Sequence, residues 1–314
     1  MNIKIRIAED RYFDQKVLNL LSKYADVEIG LCIPEDLPTI FDTYDVFWFR
    51  LGFKIDQYLV SNSQKVKVIA TPVTGIDHID VQACQKKGIN IACLKGEYNF
   101  LKEVRATAEH TIALTLALMR SIGPAIQDTK IGNWEREKFI GNELYKKKVG
   151  IIGLGRLGEI VASYFQAFGC RVCYYDIRTI ESSPLHRLKS LSEISDCDIV
   201  SMHVDYTISN HHLINADFFK NCNPNMFFIN TSRGAMVEEE SLLDALVNHK
   251  IRGAALDVIQ NEFEYSNQNK FAKFAAENNQ LILTPHIGGN TFESFEKTEM
   301  FIAHKVLRLL NLKL

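Results

Sequence analysis

Arg233, Glu262 and His286 bring together an arginine, an acid and a histidine, each in a segment that follows one of three successive strand-like runs. These types suit hydride exchange at the second carbon of a 2-hydroxyacid. A cation must grip the carboxylate and polarise the keto oxygen, and the planar fork of arginine can do both. Another group must give or take the hydroxyl proton near neutral pH, where imidazole titrates. A carboxylate beside that imidazole orients it and favours its protonated form. Singly, each residue has a plainer reading: a surface ion pair, a solvated acid, a turn histidine after Pro285. Their shared placement behind three strands favours one cleft.

A second set of residues points to what such a cleft would hold. The apolar run Val149 to Ile152 enters Gly153-Leu154-Gly155-Arg156-Leu157-Gly158, and a helix-like stretch from Arg156 to Phe168 leaves it. The first glycine permits a tight turn, the second admits pyrophosphate to the backbone, and the third lets the helix pack on the strand. The helix start then offers N–H groups and positive dipole to phosphates. The next run, Arg171 to Tyr175, ends at Asp176, where a carboxylate accepts from the ribose hydroxyls of NAD and repels a 2′-phosphate. Arg178 nearby could favour NADP, but the acid at the strand end is the stronger signal. NAD is therefore the expected cofactor, and no metal site is expected.

The elements that must position these groups alternate between strand and helix, which implies parallel sheets with helices on both faces. Ligands of such sheets bind beyond the carboxyl ends of the strands. Ile199–Met202 leads to His203, Met226–Asn230 to Thr231-Ser232-Arg233-Gly234, Gly253–Leu256 to Asp257 and Glu262, and Leu281–Leu283 to Thr284-Pro285-His286. Upstream, strands are predicted at Ile3–Ala8 (the run beginning at Met1), Val27–Cys32, Val46–Arg50, Val66–Ala70 and Ile89–Cys93. A long helix is predicted from Val104 to Ile122. A polar segment containing Gly123, Pro124, Gly132 and Asn133 follows, and a last helix runs from about Glu293 to Leu310. Because the glycine fingerprint sits mid-chain, the nucleotide domain reads as an insert. The expected division is 1–104 plus 288–314 for the substrate domain and 105–287 for the NAD domain. The fold class is α/β, two Rossmann-like doubly wound domains, the outer one flavodoxin-like.

With 314 residues the chain can bury two cores, and a net charge of −2 without an arginine-rich arm argues against nucleic acid. Apolar stretches are broken by charge well short of a membrane span. Seven scattered cysteines, an odd number, argue for reduced thiols in a cytoplasm. Cys170 and Cys173 form a C-x-x-C inside a predicted strand, where residues three apart face opposite ways, so both are expected in the core.

Several blocks together resemble the D-isomer-specific 2-hydroxyacid dehydrogenase family over nearly the full length. They are Val73-Thr74-Gly75-Ile76-Asp77-His78-Ile79-Asp80, Ala106-Thr107-Ala108-Glu109-His110-Thr111, Gly150 to Gly158, Asn230-Thr231-Ser232-Arg233-Gly234, Ala255-Leu256-Asp257-Val258, and Thr284-Pro285-His286-Ile287-Gly288-Gly289. The resemblance implies that Arg233 binds the substrate carboxylate and carbonyl, that Glu262 supports His286, and that His286 is the acid–base group. It implies cofactor contacts from the glycine fingerprint, Asp176, His203, Thr231, Thr107 and Asp257, the last at the nicotinamide carboxamide. The backbone at Thr74 and Gly75 would hold the substrate carboxylate. A homodimer built on the NAD domain and the D-enantiomer are also implied.

Within the family the segments Leu94-Lys95-Gly96-Glu97 and Ala106-Thr107-Ala108-Glu109 look most like the phosphoglycerate-dehydrogenase branch, without its appended regulatory domain. Arg50, Lys54 and Lys95 are then candidate ligands for a substrate phosphate. Two departures stand out: Asp205 replaces a usual proline, and Phe263 follows the glutamate where proline is common. Asp205 is expected to be exposed or paired, because a buried carboxylate is costly. A formate dehydrogenase would carry glutamine beside the histidine, so Glu262 counts against that activity. The alternative from another class is an NAD(H)-sensing binding protein like the family's co-repressors, which can keep the same triad.

Overall fold

The computed structural model describes residues 3–9, 11–181 and 183–312. Met1 and Asn2 of the expected first strand lie outside the described residues. The chain divides into two compact units, one running to Val104 and resuming at Asn290, the other spanning Arg105–Gly289.

The first unit holds five short strands, β1 (Lys4–Ile7), β2 (Asp26–Ile29), β3 (Val46–Trp48), β4 (Val68–Ala70) and β5 (Asn90–Ala92). All its pairings are parallel, in the order β2-β1-β3-β4-β5, which is the flavodoxin-like arrangement. Alternation decides which side chain meets which helix. Ile5, Ile7, Val46, Trp48, Val68 and Ala70 face the helices Gln15–Leu21 and Phe292–Leu309. Phe47, Phe49 and Ile69 face the helices Leu37–Thr43, Gln57–Asn62 and Val81–Lys87. With both faces buried, a one-residue slip would exchange the two sets and is strongly disfavoured. Side chains start the helices: Asp14 accepts from Lys16 and Val17 N–H, Asp80 from Ala83 N–H, and Thr291 from Ser294 N–H.

The second unit holds seven parallel strands, β6 (Lys148–Ile152), β7 (Arg171–Tyr175), β8 (His186–Arg187), β9 (Ile199–Met202), β10 (Phe227–Asn230), β11 (Gly253–Leu256) and β12 (Leu281–Leu283). Their order is β12-β11-β10-β9-β6-β7-β8. The chain starts at β6, adds β7 and β8 on one side, then crosses to β9 and builds outward. The reversal between β6 and β9 is the switch point at which such sheets open a crevice for a nucleotide. Val149, Ile151, Phe227 and Ile229 pack against the helices Ala106–Met119 and Arg156–Ala167. Ile152, Val200, Met202 and Phe228 pack on the other face with Phe218, Phe219, Leu242 and Phe271.

The long helix expected over Val104–Ile122 runs over Ala106–Met119, and the polar segment containing Gly123 and Pro124 begins with a helix of its own, Ile122–Lys130. Proline is tolerated in a first helical turn, where its missing N–H would have no partner anyway. Cys170 and Cys173 are buried on opposite faces of the sheet, and all seven cysteines are free thiols. Among the described residues no helix is long and apolar enough to cross a membrane.

Candidate active site

The carboxyl edge of the second sheet collects the residues singled out above in a fixed spatial order. Along it stand the segments after β12 (His286), β11 (Asp257), β10 (Arg233), β9 (His203), β6 (Gly153) and β7 (Asp176). Acid–base candidates fall on one side of the switch point and nucleotide candidates at it and beyond.

The glycine turn is shaped for a close approach. Gly153 has φ +89°, and a Cβ there would meet His203 O at 2.6 Å. A Cβ on Gly158 would lie 2.1 Å from Gly153 O, so only glycine lets this helix seat on the turn. The helix begins at Arg156 and Leu157 behind Gly155, and no side chain caps it among the described residues. Its first N–H groups are thus available to an anion. Burial, and then neighbouring Arg105, hold the Arg156 guanidinium below its usual pKa.

Asp176 is 5% exposed, and its carboxylate accepts from Leu154 N–H at 3.0 Å and from the Arg178 backbone N–H at 2.8 Å. Arg178 also folds over it, Nε donating at 3.1 Å. Burial opposes ionisation of Asp176, but these hydrogen bonds and the guanidinium outweigh it and keep the carboxyl below its ordinary value. Arg178 is itself largely exposed. His203 is buried and shares a hydrogen with Ser201 Oγ through Nε2 at 2.8 Å, while its Nδ1 has no partner among the described residues. Burial drives its pKa down to about 3, so the ring is neutral at neutral pH. An orphaned buried nitrogen beside the glycine turn, a cradle closed to any Cβ, and an ionised acid at the next strand end fit NAD. Asp205, beyond His203, is exposed as expected.

Asp257 organises the other side. Its carboxylate accepts from Thr284 Oγ1 at 2.6 Å, Ile287 N–H at 2.9 Å and Gly288 N–H at 2.7 Å, and lies 3.2 Å from His110 Nε2. Burial penalises its charge, but these partners prevail and hold its pKa low. The loop bearing His286 is therefore tied to Asp257 from both sides, since His286 N–H donates to Asp257 O at 2.9 Å. His286 Nδ1 then meets Glu262 Oε2 at 2.7 Å. Both His286 (φ +53°) and Asn261 (φ +50°), which precedes the glutamate, adopt the left-handed conformation that non-glycine residues avoid. Such strain persists where the surroundings over-determine it, which is typical of working sites.

Arg233 follows β10 and is half-buried, with Nη1 donating to Ser232 O at 2.8 Å. Asn230 Nδ2 donates to Arg233 O at 3.0 Å and fixes the turn. Thr231 is buried and shares a hydrogen bond of 3.0 Å with Thr111, and Thr107 lies against Gly288. In the first unit, Thr74 is exposed and Gly75 half-buried in the loop after β4, and Lys54 and Lys95 are exposed. Arg50 is different: its guanidinium is folded onto Glu9 and Glu299.

Three residues with structural weight at these edges have no role in the sequence reading. His110 bridges Asp257 and Thr284, and its only sequence signal is a polar residue in an apolar helix. Glu299 is fully buried, and the signal was available: it falls on the apolar stripe of its helix with Ile302, Ala303 and Val306. Glu9 gave none.

Fold and edge together define a two-unit α/β protein whose second unit carries a dinucleotide-binding crevice. Residues 112–288 match the D-isomer specific 2-hydroxyacid dehydrogenase, NAD binding domain. The chain is 31% identical over 298 residues to D-3-phosphoglycerate dehydrogenase of Synechocystis, covering 93% of this chain and 52% of that protein. It is 28% identical to hydroxypyruvate reductase of Thermotoga maritima, covering 98% of this chain and 99% of that protein. The D-lactate dehydrogenase of Aquifex aeolicus, solved with NAD and lactic acid, superposes with TM-score 0.84 at 25% identity, covering 98% of this chain and 95% of that one. The chain spans about half the length of the curated phosphoglycerate dehydrogenases it matches, at 52% and 57%. This chain belongs to the NAD-dependent D-isomer-specific 2-hydroxyacid dehydrogenase family.

Proposed function

We propose that this protein is an NAD(H)-dependent oxidoreductase interconverting a D-2-hydroxyacid and its 2-oxoacid. The observation that carries the reading is the 2.7 Å contact of His286 Nδ1 with Glu262 Oε2. With Nδ1 donating to the carboxylate, Nε2 is the ring atom that passes a proton to substrate. The chemistry supplied by bound NADH is a hydride to the carbonyl carbon. As the carbonyl electron pair moves onto oxygen, His286 delivers its proton there, and in oxidation it takes that proton back. Glu262 steadies the ring and the imidazolium. Arg233 grips the carboxylate and polarises the keto oxygen. Gly153, Gly155, Arg156, Leu157, Gly158, Asp176, His203, Thr231, Thr107 and Asp257 are assigned to the cofactor, and the backbone at Thr74 and Gly75 to the substrate carboxylate.

A homodimer through the second unit is part of this proposal. It is supported by large apolar side chains left open there, Ile131 at 78%, Trp134 at 90% and Ile140 at 78% exposure. A cytoplasmic, reducing compartment is proposed on the free thiols. The test is NADH oxidation by purified protein against 2-oxoacids of increasing size, wild type beside His286→Ala. Turnover that the variant loses upholds the proposal. Silence across the set, with NADH still bound, favours a nucleotide-sensing role instead.

A further inference from the structure

Resting on that reading, we infer that the 2-oxoacid accepted by this chain carries no phosphoryl group, because Arg50 is consumed as an internal latch. Arg50 follows β3, next to the strand that leads into Thr74 and Gly75, and Thr71 Oγ1 donates to its carbonyl at 3.0 Å. Of the three candidate phosphate ligands, Arg50, Lys54 and Lys95, it is the one arginine.

Its donors are already placed. A guanidinium has five N–H groups. Nε donates to Glu299 Oε1 at 2.9 Å; Nη2 donates to the same oxygen at 2.5 Å and to Tyr12 O at 2.8 Å. Nη1 reaches Glu9 Oε2 at 3.3 Å and Arg11 O at 3.4 Å. The Phe295 ring covers the guanidinium face at 3.8 Å, and the side chain is 16% exposed. A phosphate would have to displace one of these carboxylates. Glu299 has 0% exposure, so freeing it would leave a buried acid with no counter-charge.

The charge balance points the same way. Two carboxylates, Glu9 and Glu299, already face the Arg50 guanidinium, so its charge is answered before a dianion arrives. The adjoining strand-end residue, Thr71, is uncharged and buried. Arg11, Lys54 and Lys95 are exposed and lie on loops. The two lysines among them are hydrated point charges without a rigid fork. A small uncharged substituent meets none of this opposition.

The experiment compares hydroxypyruvate with 3-phosphohydroxypyruvate, which differ by the phosphoryl group alone, as substrates of the full-length protein with NADH. The expected result is a kcat/KM at least about tenfold higher for the unphosphorylated acid. Glu9→Gln removes one opposing charge and loosens Nη1, and it should narrow the ratio several-fold through the KM of the phosphorylated substrate. Preference of the wild type for the phosphorylated acid overturns the inference, and so does a ratio that Glu9→Gln leaves unchanged. Should that variant fail to fold, the wild-type ratio decides alone. Inactivity on every 2-oxoacid, phosphorylated or not, would instead overturn the dehydrogenase reading and this inference with it.

Discussion

His286 Nδ1 lies 2.7 Å from Glu262 Oε2, although the two residues follow different strands, Glu262 opening a single 3₁₀ turn (Glu262–Glu264) and His286 lying in a loop. The contact exists because Asp257 pins the histidine loop through Ile287 and Gly288 N–H, while Asn261 turns the chain before the glutamate. Geometry of this kind, a histidine loop locked by a buried carboxylate and set against an acid on a tight turn, is what acid–base chemistry requires.

Glu262→Gln keeps the shape but cannot balance an imidazolium. Reduction of a 2-oxoacid requires protonated histidine, so the alkaline limb of its kcat/KM profile should move to lower pH. The rate at neutral pH should fall on the order of 10²-fold. A pH–rate profile in the reducing direction checks this, and an unshifted limb would remove Glu262 from the role.

Arg233→Lys should behave as a severe change. Lysine keeps the charge but lacks the planar fork, so it cannot hold carboxylate and keto oxygen together. A loss of roughly 10²-fold or more in kcat/KM is expected, consistent with losing a charge-assisted bidentate contact. Steady-state kinetics decide it, and wild-type values in the variant would make the assignment wrong.

Asp176→Ala should weaken NADH and relax discrimination against NADPH. The substitution removes the acid that excludes a 2′-phosphate and releases Arg178, now folded over that acid, to meet one. Fluorescence titration with both cofactors reads the ratio of dissociation constants. A ratio identical to wild type would show that the ribose does not reach this strand end.

Arg50→Met should cost about 3–5 kcal/mol of stability by stranding Glu299 in the core. Burial already raises the Glu299 pKa against the opposing effect of its hydrogen-bond partners and Arg50. Without Arg50 it should rise further. An acid with a raised folded pKa destabilises the fold as pH climbs through that value, so the deficit should shrink as pH falls. Urea denaturation of both proteins across the acid range tests it. A deficit independent of pH would mean that packing, not charge, explains the loss.

His203 supplies a separate stability signature. Its folded pKa lies near 3, below the ordinary 6.5, so the folded state resists a proton that the unfolded chain accepts. Stability from this group is therefore present above pH 6.5 and drains away as pH falls toward 3. His203→Gln should flatten that slope in denaturation experiments. Parallel curves would show that another group governs acid unfolding.

The alternation of strands and helices, the glycine turn and the residues that stand beyond each strand are legible in the order of amino acids alone. Those signals are local: Val149 to Ile152 is apolar in a row because both faces of β6 are buried, and Gly158 is glycine because Gly153 O lies where a Cβ would sit. Chain order also sets Glu262 and His286 near one another. Which partners close around them follows from packing in three dimensions. The bridge of His110 to Asp257 spans different elements, and the placement of Arg50 against Glu9 and Glu299 joins three distant parts of the chain. Composition and periodicity record which face of an element is buried. They do not record which charged side chain on that face will find its counter-charge, because that pairing is made by packing across the sheet.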